Sequence, residues 1–81
     1  MFYVYVLKMN NGQIYIGSTP DLKRRFQEHT SGRVFTTKKY LPLKLVYYES
    51  YLARKDAGSR EYMLKNMVVA GLISKRDSNT V

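Results

Sequence analysis

Glu61 is the acid most out of place in this chain. At about 100° per residue, Ala53, Ala57, Glu61, Leu64 and Val68 fall within about 80° of helical arc, which sets a carboxylate in the middle of an apolar stripe. Burying it unpaired costs several kcal/mol, so a cation beside it is the natural compensation, and Lys65 one turn on offers the routine pairing. Arg25 is equally distinctive by position. Leu22, Phe26 and His29 lie within about 60° of one another on a helical wheel and Arg25 borders that stripe, whereas Lys23, Arg24, Gln27 and Glu28 point elsewhere. The other reactive groups are few. With no Cys there is no thiolate nucleophile, disulfide scaffold or Cys-rich zinc site, and 1 His excludes a His-based metal cluster. Phenols, bases and isolated acids remain, and 14 Lys and Arg against 6 Asp and Glu leave a net charge of +8 on 81 residues. Such an excess repels itself and points to a polyanionic partner, nucleic acid above all.

The elements that must position these groups follow from periodicity. Phe2 to Leu7 is a β-branched and aromatic run, Asn10-Asn11-Gly12 a turn, and Gln13 to Gly17 a second strand. Two registers compete. A two-residue Asn11-Gly12 turn puts Tyr5 and Tyr15 on opposite faces, while a three-residue loop with Gly12 at positive φ sets Tyr5 opposite Gly17, Leu7 opposite Tyr15, and both phenols on one face. The capping signals of Ser18-Thr19-Pro20-Asp21 predict a helix from about Pro20 to about Ser31, closed by Gly32. Arg33 to Pro42 reads as a basic loop, Leu43 to Tyr51 as a third strand, and Leu52 to Val69 as a second helix weakened at Gly58 and ended or kinked at Gly71. The apolar runs fall well short of the roughly 20 residues of a bilayer span, and no basic segment precedes the first, so a cytoplasmic protein is expected. The length predicts one domain over residues 1–81, with a motif-bearing core of about 2–73 and a polar tail at 74–81.

Tyr3-Val4-Tyr5, Tyr15-Ile16-Gly17, the helix from Asp21 to His29, and Arg60-Glu61-Tyr62-Met63-Leu64-Lys65 together resemble the GIY-YIG nuclease family, and in particular its small stand-alone bacterial-type members. The resemblance covers about residues 2 to 66, with Tyr3 in place of the glycine of the first triplet. It implies an α+β fold, a three-stranded antiparallel sheet flanked by helices. It also implies a metal-dependent endonuclease that hydrolyses phosphodiester bonds in DNA, with a place in DNA repair or recombination. Tyr5 and Tyr15 match the motif tyrosines, Arg25 the motif arginine, His29 a helix-borne imidazole and Glu61 the metal-binding glutamate. Because the family gathers both tyrosines at one site, the three-residue loop is the expected register.

The chemistry suits those types. Phosphodiester hydrolysis needs a deprotonated water, charge neutralisation on the phosphorane-like transition state and stabilisation of the departing 3′ oxygen. Mg²⁺, with Mn²⁺ able to substitute, keeps most of its waters and takes phosphate oxygens directly, so a single Glu61 suffices. A guanidinium such as Arg25 grips a non-bridging oxygen in a fixed fork. A tyrosine base is the demanding part. At an ordinary pKa near 10, roughly 3 units or about 4 kcal/mol must come from Arg25, His29, a lysine or a metal water.

Lys23, Arg24, Arg33, Lys38 and Lys39 are the expected nucleic-acid contacts, and Lys38 lies where some relatives place another catalytic polar group. Tyr40, Tyr47, Tyr48 and Tyr51 interleave with Lys39 and Lys44 as base-stacking surfaces do, although half of them should be core. Single-stranded or branched DNA is the favoured substrate, with RNA also open, because no element long enough to read a groove is evident. The competing expectation is a non-catalytic basic nucleic-acid-binding protein that keeps the nuclease scaffold. His29 has its own structural alternative, as a cation favoured by the dipole of the last helical turn.

Overall fold

The computed structural model describes residues 1–69 and 71. The hairpin of β1 (Phe2–Lys8) and β2 (Ile14–Thr19) turns through Asn10-Asn11-Gly12, with Gly12 at φ 84° and its N–H bonded to the Met9 carbonyl at 2.9 Å. That φ is one a side chain rarely tolerates. The register is the one the three-residue loop dictates: Tyr5 pairs with Gly17 and Leu7 with Tyr15. β3 (Lys44–Tyr51) pairs antiparallel with the other edge of β1, giving the order β2-β1-β3. The β1–β3 register shifts between Val6 and Leu7, where Val6 faces Tyr47 and Leu7 faces Leu45. Val46 is the extra residue, and the bulge brings Leu45 and Tyr48, three residues apart, to the same face.

Each face of the sheet carries one helix. Val4 and Ile16 bury against Ala57 and Leu64 of α2 (Arg54–Val69), while Tyr5, Leu7, Met9 and Leu43 pack with Leu22 and Phe26 of α1 (Leu22–Thr30) on the other face. The fold is thus α+β, a three-stranded antiparallel sheet between two helices.

Several assignments differ from expectation, β2 among them, which runs to Thr19 rather than Gly17. α1 starts at Leu22, because Asp21 is the cap: its carboxylate accepts the Arg24 backbone N–H at 3.1 Å, which leaves Pro20 outside the helix. α2 starts at Arg54 rather than Leu52. Residues 33–42 are more than a basic loop, for Lys38–Tyr40 form a 3₁₀ turn, and Val34 and Thr37 are buried beneath it. Gly71, at φ 81°, closes α2. The Ser74–Val81 tail lies outside the described residues. No helix among the described residues is long and apolar enough to cross a membrane.

Candidate active site

Tyr5 projects from β1 onto the α1 face and is 1% exposed. Its hydroxyl lies against β2 at Gly17, where an added Cβ would stand 2.5 Å from Tyr5 Oη and 2.7 Å from Cζ. Glycine there is therefore a packing requirement of the phenol. Tyr15, half-buried on β2, shares that face, with ring centroids 6.4 Å from Tyr5 and 5.1 Å from His29.

His29 sits in the last turn of α1 and is fully buried. Its Nε2 is 2.9 Å from Tyr5 Oη and its Nδ1 is 2.9 Å from Thr37 Oγ1. Burial, with the Arg25 charge adding to it, pushes the imidazole down to about 4, against the weaker pull of Glu28. A neutral ring at pH 7 follows, although His29 does occupy the last turn of α1. Arg25, with donors alone, interacts with the Tyr5 hydroxyl. The Tyr5 proton then goes to Nε2, and Nδ1–H donates to Thr37, a tautomer assigned from partner chemistry. Burial pushes the Tyr5 phenol up to about 12, outweighing the opposing effect of Arg25.

Arg25 is half-buried, whereas Arg24 beside it is exposed. Its Nη1 donates to Glu28 Oε1 at 2.9 Å, which holds the guanidinium across from the phenols. Glu61 reaches the site from elsewhere. It belongs to α2, on the opposite face of the sheet, and accepts the Ser18 hydroxyl on Oε1 at 2.7 Å and the Lys65 ammonium on Oε2 at 2.8 Å. Burial pushes its carboxyl up, but these two partners outweigh burial and leave it below the usual range. Ser18 follows Gly17 on edge strand β2, and the Glu61 charge is felt at the Tyr5 phenol. The structure therefore gathers Tyr5, Tyr15, Arg25 and His29 on one face and brings Glu61 to the same strand from the other.

The chain matches the family described as the GIY-YIG catalytic domain over residues 1–71. The chain belongs to the GIY-YIG family. Its relatives include a UPF0213 protein of Streptococcus pneumoniae, 41% identical over 64 residues that make up 78% of this chain and 65% of the relative. A UPF0213 protein of Clostridium perfringens is 38% identical over 83% of this chain and 73% of its own, and one of Limosilactobacillus reuteri is 41% identical over 80% and 71%. The chain thus spans about two thirds of the length of the pneumococcal relative. No solved structure gives a significant match.

Beyond the GIY-YIG motif residues, the site includes Thr37 and Ser18, which sequence reasoning does not single out as members, and Lys65, the ion-pair partner that the spacing offers to Glu61. The capping signals include Ser18, yet it is a strand residue whose hydroxyl donates to Glu61. Lys38, by contrast, points outward, its ammonium 5.1 Å above the Phe35 ring. Lys23, Arg33 and Lys39 are exposed, and Arg24 stands 3.7 Å from Glu28. Among the described residues there is no cluster of three or more metal-ligating His, Cys, Asp or Glu.

Proposed function

We propose that the chain is a metal-dependent endonuclease that hydrolyses DNA phosphodiester bonds, with single-stranded or branched substrates favoured. The observation that carries this reading is the convergence of two phenols beside Gly17, an imidazole and a guanidinium on the Tyr5 hydroxyl, and one carboxylate anchored to the next residue of the same strand.

The donor set around Glu61 suits Mg²⁺ or Mn²⁺: a carboxylate of lowered pKa, the Ser18 hydroxyl beside it, and an exposed Lys65 on a flexible stem free to yield its oxygen. When bound, such a cation supplies Lewis-acid stabilisation of charge on the phosphate oxygens. Arg25 grips a non-bridging oxygen, with Glu28 fixing the plane of its fork. Tyr5 is a poor base, buried and pushed up to about 12, and its hydroxyl is committed to His29. It positions, with His29 and Thr37 as its brace. Tyr15, half-buried on the edge strand, acts in its phenolate form: it takes a proton from the attacking water as the O–P bond forms, and the departing O3′ takes up a proton from solvent as the P–O3′ bond breaks.

The test is cleavage of labelled single-stranded, flap, four-way-junction and duplex DNA with Mg²⁺ or Mn²⁺ and with chelator. Glu61→Ala should abolish cutting while binding persists, and Arg25→Ala should lower the rate by about two to three decades with little loss of affinity. Tyr15→Phe should retain binding and lose cutting. The Glu61–Lys65 pair favours one other reading, a binding protein on a nuclease scaffold, since it satisfies the acid without a metal. Binding without metal-dependent cutting of any substrate would establish that reading instead.

A further inference from the structure

β1, β3 and α1 enclose a cleft of about 470 Å³ beside the phenol cluster. Its walls are aromatic and apolar: Tyr3 and Tyr48 of the sheet, with ring centroids 6.3 Å apart and planes inclined at 54°, stand with Leu45 opposite Phe26 of α1. Lys23 and Asp21 complete the lining at the start of α1, where Asp21 is engaged as the helix cap. Tyr48 is 54% exposed, a large expenditure of apolar surface for a small protein. Its neighbours Tyr47 and Tyr51 are committed on the other face to the Glu49 carboxylate, so Tyr48 stands apart from them.

The cleft shares β1 and α1 with the candidate active site. Tyr3 precedes Tyr5 by two residues on the same face of β1, a rise of about 6.8 Å, on the order of one nucleotide step in an extended strand. Lys23 and Phe26 line the cleft from the same helix that carries Arg25. A phosphate gains nothing between tyrosine faces next to the Asp21 carboxylate, whereas a planar ring does, with Lys23 at the rim for the backbone that carries it.

We propose that this cleft holds an unpaired nucleobase of the strand whose phosphate reaches Arg25, stacked against Tyr48 and Tyr3. The proposal rests on the nuclease reading for the nature of the polymer and adds to it a place for the base. It makes base-bearing single strands better ligands than bare backbone, without discrimination among bases, since every base offers a π-face.

The experiment compares two single-stranded ligands of about 12 nucleotides, oligothymidylate and an all-abasic oligomer of the same length and charge, in chelator so that nothing is cut. The wild-type chain should bind oligothymidylate about 5- to 150-fold more tightly than the abasic oligomer. Tyr48→Ala should erase that ratio, Tyr48→Phe should keep it, and Lys23→Ala should weaken both ligands in proportion. Matching thermal melts of the Tyr48 variants show that the fold is intact. Equal affinity of the wild-type chain for both ligands, or a proportional loss for both in Tyr48→Ala, overturns the proposal. So does self-association that Tyr48→Ala removes while oligonucleotide affinity stands, which would assign the cleft to a second copy of the chain. A base preference that persists in a protein found unable to cut DNA sustains the stacking cleft and refutes the nuclease reading alone.

Discussion

His29 shows how one side chain sets the character of the site. It is a neutral buried imidazole, braced between Tyr5 and Thr37, and its folded value of about 4 lies below the ordinary 6.5. As pH falls from 6.5 towards 4 the unfolded chain takes up the proton first, so stability drops on acidification, by ~2 kcal/mol between pH 7 and 5. Urea denaturation at those two pH values checks this, and His29→Gln should flatten the dependence. Gly17→Ala should act through Tyr5: a Cβ 2.5 Å from its hydroxyl forces the phenol or the strand to move, at about 1–3 kcal/mol, with loss of cutting in the nuclease assay. The faces of Tyr5, Tyr15 and Arg25 were legible because strand and helix periods fix them once the turn is known. Thr37 was not. In Thr36-Thr37-Lys38-Lys39 nothing in residue type separates the hydroxyl that turns inward, and only His29, 8 residues back, identifies it.

At the level of elements, the placement of Glu61 depends on how α2 is held. Its buried apolar anchors are Ala57 and Leu64, and a polar clamp supplements them. Arg60 donates to Glu49 of β3 through Nε at 2.9 Å and Nη2 at 3.1 Å, and Tyr47 and Tyr51 donate to the same carboxylate. Arg60 above all holds Glu49 down at about 2, so the clamp is intact above the ordinary carboxylate pKa and is lost as pH falls towards 2. Arg60 precedes Glu61 in sequence, so loss of the clamp frees the helix turn that presents the carboxylate. A double-mutant cycle of Arg60→Ala and Glu49→Ala should give a coupling on the order of 1–3 kcal/mol by denaturation, and on the nuclease reading Arg60→Ala should slow cutting as well as lower stability. The acid in an apolar stripe was visible in the sequence, but its approach from the opposite face of the sheet was not. That follows from the strand order and from Ser18 belonging to β2, although the local capping signals favour the helix start.

At the scale of the whole molecule, a charge of +8 must act through distance as well as contact. Lys23→Ala and Lys39→Ala should each lower affinity for single-stranded DNA and reduce the slope of log K against log salt by about 0.7, as counterion release requires. Tyr48→Ala should leave that slope unchanged, which a salt titration of all three variants will show. The α+β architecture was legible in outline because three short strands and two amphipathic segments have few ways to share so small a core. β2 is an edge strand of the sheet, and the reactive groups meet it from both sides. On the nuclease reading, a site on a rim is approached sideways: a circle of single-stranded DNA, having no terminus, should be cut as readily as a linear piece, and the new ends can lift away without being threaded back.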